Sequence, residues 1–131
     1  MKLKILKKIK LKSTLGGKTY YGLTDRDEQV LLLLKQTTDR PYRHMINLIL
    51  RLCLHDSNFV SLPAVEVKYT KMAKISKHIR DAISFYAKQN KRTVVDLTAA
   101  MIFNFFNNIN LDQFKKELDR WSDLIPSIKP Q

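Results

Sequence analysis

Residues 65–102 read VEVKYTKMAKISKHIRDAISFYAKQNKRTVVDLTAAMI, and a strand pattern is followed there by two helix patterns. Residues 65–75 alternate apolar and polar side chains, which is typical of a strand with one buried face. Ser76 stands where a helix N-cap is expected, ahead of KHIRDAISFYAKQN. After the turn KR, Thr93 is placed to cap a second helix, and Asp96 completes a capping-box-like pair. The stretch therefore predicts the order strand, helix, short turn, helix.

The same order occurs a second time, 52 residues earlier in the chain. Thr24 caps a helix pattern that has three acids in its first turn and ends near the turn TDRP. A second helix follows from Tyr42. Without a gap, the two copies align their apolar positions, their caps and a turn arginine, Arg40 with Arg92. Since KTYYGL at 18–23 also has strand alternation, we predict an internal duplication whose two strands pair antiparallel over four helices.

The alternation assigns the strand side chains to two faces. Thr19, Tyr21 and Leu23 face inward in the first strand, as do Tyr69, Ala73 and Ile75 in the second. The outward positions are Lys18, Tyr20, Gly22, Thr70, Met72 and Lys74. Lys71 breaks this pattern, because its parity places it inside. Either its stem passes the ribbon edge to reach a phosphate, or the assumed register is shifted by one residue.

The charge of the chain points to a polyanionic partner. The sequence has 24 Lys+Arg against 12 Asp+Glu, a net charge of +12, and residues 1–23 contain lysines but no acid. Such a balance favours nucleic acid first and an acidic membrane surface second. No apolar run reaches the ~20 residues that cross a bilayer, and the N-terminus lacks the apolar region of a secretory signal. With the single Cys53 unable to form an internal disulfide, we expect a cytoplasmic protein without a membrane span.

Two quoted segments resemble the ribbon-helix-helix DNA-binding family, the Arc and MetJ repressor type. ISKHIRDAISFYAKQNKRTVVDLTAAMI has the family's strand residue and Ser cap, an Ala near the end of the first helix, and Asn-x-Arg-Thr opening the second. LTDRDEQVLLLLKQTTDRPYRHMINLIL matches more loosely, and the two copies together cover residues 18–106. The resemblance implies a mainly α fold with a short two-stranded antiparallel β-ribbon. It would be a tandem ribbon-helix-helix pseudo-dimer plus a C-terminal helix, similar to TraY-like relaxosome accessory proteins of conjugative plasmids.

In that family the ribbon enters the major groove, where every base pair shows a distinct pattern of donors and acceptors. The resemblance thus implies a sequence-specific double-stranded DNA-binding protein. It would act as a transcriptional regulator or repressor, as a plasmid transfer accessory factor, or in copy-number or partition control. Because the two copies differ, the implied DNA site is asymmetric. Neighbouring copies of the protein on DNA, or a relaxase, are further candidate partners.

The resemblance also implies which residues touch DNA. Base contacts fall on Lys18, Tyr20, Thr70, Met72 and Lys74. Phosphate contacts fall on the starts of the second helices and on the arginines near them: Arg92, Thr93, Val94, Arg40, Tyr42 and Arg43. The charge pattern itself adds Lys68 and Lys71, and Lys8, Lys10 and Lys12 of the N-terminal arm, as further predicted phosphate contacts. The first copy departs from the family at Pro41, which replaces the Ser or Thr cap and removes one amide donor.

The chain divides into five predicted segments. They are a basic N-terminal arm (1–17), a first unit (18–54), a linker (55–64), a second unit (65–109), and a C-terminal helix and tail (110–131), and the two units form one domain. The arm is expected to cross DNA phosphates; an added strand and a membrane-surface segment are the alternatives.

The last helix is expected to start at an Asn110 cap and to stop before Pro126. Its apolar stripe consists of Leu111, Phe114, Leu118 and Trp121. The stripe predicts packing on the body of the protein, and a contact between neighbouring molecules on DNA is the alternative.

The sequence offers no constellation for catalysis. The three histidines lack metal-ligand spacing, and there is no Gly-rich phosphate loop, nucleophile elbow or paired-carboxylate motif. We therefore expect no metal, no cofactor and no enzymatic activity. A function of another class stays open: a small basic helical protein-interaction module that binds RNA or an acidic membrane surface through its N-terminal arm.

Overall fold

The computed structural model describes residues 18–55 and 59–128, with side chains up to residue 120 except that of Val60. Within these residues the protein is mainly helical and has one two-stranded antiparallel sheet, as the sequence predicts. The elements are β1 (Thr19–Leu23), α1 (Asp25–Thr38), α2 (Tyr42–Cys53), a 3-10 turn (Phe59–Ser61), β2 (Tyr69–Ala73), α3 (Lys77–Gln89), α4 (Val94–Asn108) and α5 (Leu111–Ile128).

The strand register agrees with the internal repeat. Tyr20 lies opposite Met72, and these two residues are themselves 52 positions apart. A two-fold axis that exchanges the copies therefore passes between them. The first helices of the two units start at equivalent residues, Asp25 and Lys77, and so do the second helices. The repeat that was inferred from apolar positions is thus present in the backbone as well.

The turns inside the two units use the same backbone conformation. Asp39 has φ 56° and Lys91 has φ 57°, and both residues lie in the left-handed region. They too are 52 positions apart. A left-handed residue commonly ends an α-helix, because it lets the chain turn while its amide still bonds to a helix carbonyl. The Asp39 amide, for example, donates to the Lys35 carbonyl at 2.9 Å.

The core lies between the inner face of the ribbon and the helices. Tyr21 and Leu23 of β1 are buried, as is Ala73 of β2. Apolar side chains from all five helices meet them, among them Leu31, Leu34, Met45, Ile49, Ile83, Leu97, Met101, Phe114 and Leu118. Burial of the last two confirms that α5 packs on the body of the protein, although the Trp121 side chain lies outside the described part.

The second helix of each unit braces the strand of the other unit. Gly22 of β1 lies so close to α4 that a Cβ there would stand 2.7 Å from the Val95 carbonyl oxygen. On the other side, Asn47 of α2 holds the chain just after β2. Its Nδ2 donates to the Lys74 carbonyl at 2.9 Å, and its Oδ1 accepts from the Ser76 amide at 2.7 Å. The two units are therefore intertwined around a shared core.

The predicted helix caps are right in position and partly wrong in chemistry. Thr24 and Thr93 accept from amides in the first turns of their helices, as expected. Ser76 is the N-cap residue of α3, but its side chain makes no capping bond, and its own amide is bonded to Asn47. The expected capping box is also wrong, because the Asp96 carboxylate accepts from Arg92 Nε at 2.6 Å.

Two predicted boundaries also differ. Pro126 lies inside α5, which ends at Ile128, because the φ of proline suits a helix even though its missing amide costs one bond. The strand predicted from Val65 begins only at Tyr69, since β2 pairs with β1 alone and the five residues of β1 end at Leu23.

Candidate nucleic-acid interface

The five residues predicted to contact bases are brought together on the side of the ribbon that faces away from the core. Tyr20 and Met72 stand opposite each other at the centre, 56% and 52% exposed. Thr70 and Lys74 are exposed on the same side, and Lys18 is exposed just ahead of β1. We call this surface, formed by Lys18, Tyr20, Thr70, Met72 and Lys74, the outer ribbon face.

One end of the outer ribbon face is strongly cationic. Because the strands are antiparallel, Lys18 before β1 and Lys74 after β2 lie at the same end. Two further exposed cations adjoin them. Lys77 opens α3, and Arg43 of α2 is joined to Lys74 through Asn47, whose Nδ2 donates to both backbone carbonyls. We call this the lysine end. None of these four cations forms a salt bridge with another residue in the described ranges 18–55 and 59–120.

The other end has no free cation on the strands themselves. Gly22 lies opposite Thr70, and we call this the glycine end. Gly22 is buried against α4, where its amide donates to Thr98 Oγ1 at 3.1 Å. A glycine inside a strand commonly marks such a close approach of two backbones. Thr70 is therefore the one side chain that this rung of the ladder exposes.

The predicted phosphate ligand Lys68 lies beyond the glycine end in mixed surroundings. Its amide donates to the Leu23 carbonyl at 2.8 Å, while its side chain is exposed. Asp25 and Glu66 line the same shallow cleft as Lys68. The positive potential of Lys68 is thus reduced by neighbouring carboxylates, unlike that of the lysine end.

Lys71 is placed apart from the outer ribbon face. It lies opposite the buried Tyr21, so its side chain points to the inner side of the ribbon. Its Nζ lies 2.8 Å from Glu28 Oε2 and 4.7 Å from the centre of the Tyr42 ring, and the side chain is 32% exposed. The strand register is therefore the one assumed from the alternation. Lys71 points inward, and the Glu28 carboxylate compensates its charge.

Tyr42 is tied into the same cluster. Burial, and then the nearby Glu28 carboxylate, raise the pKa of Tyr42 to about 12. The hydroxyl therefore stays protonated at neutral pH and donates to Glu28 Oε1 at 3.4 Å. Because the Tyr42 side chain is bonded to Glu28, a phosphate contact of this residue would use its backbone amide.

The starts of the two second helices flank the ribbon, one at each end. Contact of Val95 with Gly22 places the start of α4 at the glycine end. Contacts of Asn47 with the chain after β2 place the first turns of α2 at the lysine end. The first amides of a helix lack intrahelical acceptors and favour an anion. In α4 these include Val94, next to the exposed cap Thr93, whereas in α2 Pro41 contributes no amide.

The two turn arginines both bond to other parts of the protein. Arg92 donates from Nε to Asp96 and from Nη1 to the Leu62 carbonyl at 2.7 Å, and its side chain is 13% exposed. Arg40 donates from Nη2 to Asp119 of α5 at 3.3 Å. Leu62 and Asp119 are 30 and 79 residues away from the arginines that they bond, so the sequence carried no signal for these two contacts of predicted phosphate ligands.

Sequence reasoning missed three residues of this surface. Lys77 and Asn47 belong to the lysine end, and Thr98 supports the glycine end. Lys77 lies in the first turn of α3, three residues after Lys74, and this short separation could have predicted that the two lysines share one surface. Asn47 and Thr98 lie on helix faces that resemble ordinary core faces. The predicted arm residues Lys8, Lys10 and Lys12 lie outside the described residues.

No family model, curated protein or solved structure matches this chain. Among the described residues, no helix is long and apolar enough to span a membrane. Within the same part of the chain, no cluster of His, Cys, Asp and Glu is arranged to hold a metal ion.

Proposed function

We propose that this protein is a sequence-specific double-stranded DNA-binding protein that inserts its two-stranded ribbon into the major groove. The observation that carries this proposal is the outer ribbon face. It exposes two large side chains, a threonine and two lysines, while the inner face of the same ribbon is buried. The exposed Tyr20 and Met72 stand side by side, and contiguous exposed apolar side chains are a feature of interaction sites.

The size of the ribbon supports this partner. Paired strands lie about 4.8 Å apart, so a two-stranded ribbon with its side chains fits a major groove that is about 12 Å wide. The side chains also have the right chemistry. A lysine donates to guanine O6 and N7, a threonine bonds to bases or touches the thymine methyl group, and Tyr and Met offer apolar contact.

The surroundings of the ribbon support contacts with the DNA backbone. A helix start lies at each end of the ribbon, and exposed Arg43, Lys77 and Lys68 lie around it. Phosphate contacts hold a protein in register on the duplex, while base contacts provide the specificity. The net charge of +12 supplies a long-range attraction for the same partner.

A protein of this kind acts by occupying a site, without catalysis. We propose that it works in the cytoplasm as a transcriptional regulator or as a plasmid transfer accessory factor. In either role, occupancy of one duplex site is the activity to measure.

Selection from a random duplex library, followed by gel shifts, tests the proposal. Wild type should enrich a defined site and bind it at least a hundredfold more tightly than random duplex, because specific sites typically exceed non-specific DNA by about 10³ or more. Combined Thr70→Ala and Lys74→Ala should remove most of this preference. Lys116→Ala, which removes an exposed charge on α5, is the matched control and should keep it.

Deletion of residues 1–12 separates non-specific attraction from site recognition. It should weaken binding to all duplexes similarly and flatten the salt dependence, since phosphate neutralisation carries no sequence information. Equal affinity of the wild type for every duplex would overturn the proposal. If RNA or acidic vesicles were then bound through residues 1–12, the protein-interaction alternative would take its place.

A further inference from the structure

The two ends of the outer ribbon face carry different side chains, although the internal repeat would allow the face to be symmetric. Across the two-fold axis, Lys18 is the repeat equivalent of Thr70, and Gly22 is the equivalent of Lys74. In both pairs one copy has a lysine and the other has none. Both lysines lie at the same end of the ribbon, because the strands run in opposite directions.

We propose that the protein reads a directional DNA site, with guanines under the lysine end and a thymine under Thr70 at the glycine end. This inference rests on the proposed function. It goes further by assigning base classes to the two ends.

The lysine end favours guanine for two reasons. Lysine donors match the two acceptors, O6 and N7, that guanine shows in the major groove. The cations there also gather: Lys18, Lys74, Lys77 and Arg43 are exposed, and none of them forms a salt bridge within the described residues. Like charges placed together repel, so this end gains most from the electron-rich edge of consecutive guanines and from the phosphates beside them.

At the glycine end, β1 has no side-chain hydrogen-bond donor that could contact a guanine. Gly22 has no side chain, and the space that a Cβ would need is taken by the Val95 carbonyl oxygen at 2.7 Å. Thr70 alone projects from this rung, and its methyl group suits the thymine methyl. At the centre, Tyr20 and Met72 add apolar contacts that distinguish thymine from cytosine.

The spacing of the two preferences follows from strand geometry. Outward positions on one strand are about 6.8 Å apart, which is two residues of about 3.4 Å each. The three outward rungs therefore span about 14 Å. With about 3.4 Å per base pair, the guanine positions and the thymine position should be separated by about four base pairs.

Base analogues in the selected site test the assignment. Replacing the guanines by 7-deazaguanine should weaken binding by wild type about tenfold, and the effect should largely disappear in Lys74→Ala or Lys18→Ala. Replacing the thymine by uracil, which lacks the methyl group, should weaken wild type about threefold to tenfold and Thr70→Ala hardly at all.

A gain-of-function variant provides the sharper test. Thr70→Lys gives position 70 the residue of its repeat equivalent, so a new selection should replace thymine by guanine at the glycine end and yield a more symmetric site. Because Thr70 is exposed, the variant should unfold at the wild-type temperature, which excludes misfolding as the cause.

The outcomes separate the two proposals. A palindromic selected site would overturn the directional inference while leaving sequence-specific binding intact, and so would an unchanged thymine preference in Thr70→Lys. The same holds for a guanine preference that survives the combined loss of Lys18 and Lys74. If no sequence is enriched at all, the proposed function itself fails.

Discussion

The two ends of the ribbon come from one repeat but are built differently. At the glycine end, α4 packs directly against the strand backbone, and it can do so because Gly22 has no side chain. At the lysine end, the equivalent residue Lys74 keeps a long exposed side chain, and Asn47 bridges from α2 through two hydrogen bonds. A close backbone contact and a projecting side chain exclude each other at one position. The ribbon therefore combines tight packing at one end with charge at the other.

Adding a methyl group at the glycine end should have the largest effect. Gly22→Ala would bring a Cβ to within 2.7 Å of a backbone oxygen that cannot move without shifting α4. We expect the free energy of unfolding to fall by about 2 kcal/mol, in the range found for overpacked sites. Chemical denaturation measures this change.

Lys74→Ala is the matched control, because it places the same residue at the equivalent position of the other copy. Its stability should stay within about 0.5 kcal/mol of the wild type, as for most surface substitutions. If both variants were equally stable, the close approach of α4 to β1 would be wrong.

The next effect contrasts two lysines on one strand. Lys71→Met removes the partner of Glu28, which is nearly buried and would keep only the Tyr42 hydroxyl. The loss of stability should be about 1–2 kcal/mol, as for a buried acceptor left short of a donor. Binding to the selected duplex, measured well below the unfolding temperature, should change little.

Lys74→Met sharpens this contrast, because it should leave stability nearly unchanged and reduce specific DNA binding. The two variants differ only in which face of the ribbon loses a charge. Should Lys71→Met abolish DNA binding at full stability, Lys71 would belong to the interface after all.

The smallest effect compares the two first-helix caps. Thr24 Oγ1 accepts from the Asp27 amide at 3.2 Å, whereas the Ser76 side chain makes no capping bond. Thr24→Ala should therefore lower the free energy of unfolding by about 1 kcal/mol. Ser76→Ala should lower it by only about 0.3 kcal/mol. Thermal unfolding of both variants gives the comparison, and equal losses would mean that Ser76 caps α3 in solution.

Much of the fold could be predicted because it depends on local periodicity. The strand alternation and the helix starts at Asp25, Tyr42, Lys77 and Val94 follow from patterns that lie within a few residues of one another. The duplication predicted that the two strands pair with each other, and in the structure Tyr20 lies opposite its repeat equivalent Met72. The outer ribbon face was predicted for the same reason.

The side-chain partners could not be predicted in this way. Arg92 reaches the Leu62 carbonyl, Arg40 reaches Asp119, and Lys71 reaches Glu28, and each of these partners is at least 30 residues away. From sequence alone, a cation in a turn or on a strand is predicted to be exposed and able to contact a phosphate. Folding decides whether a carboxylate or carbonyl lies closer.

By itself, the amino-acid sequence determined the order of elements, the repeat and the inward or outward side of the strand residues other than Lys71, because these depend on spacing along the chain. The strand register, which Lys71 left open, was decided by the structure. Only the tertiary structure decided that α4 closes the glycine end, that Arg40, Lys71 and Arg92 are engaged internally, and that the cations left exposed gather at one end. Those features depend on distances between distant segments, which become defined only when the two units pack around a shared core.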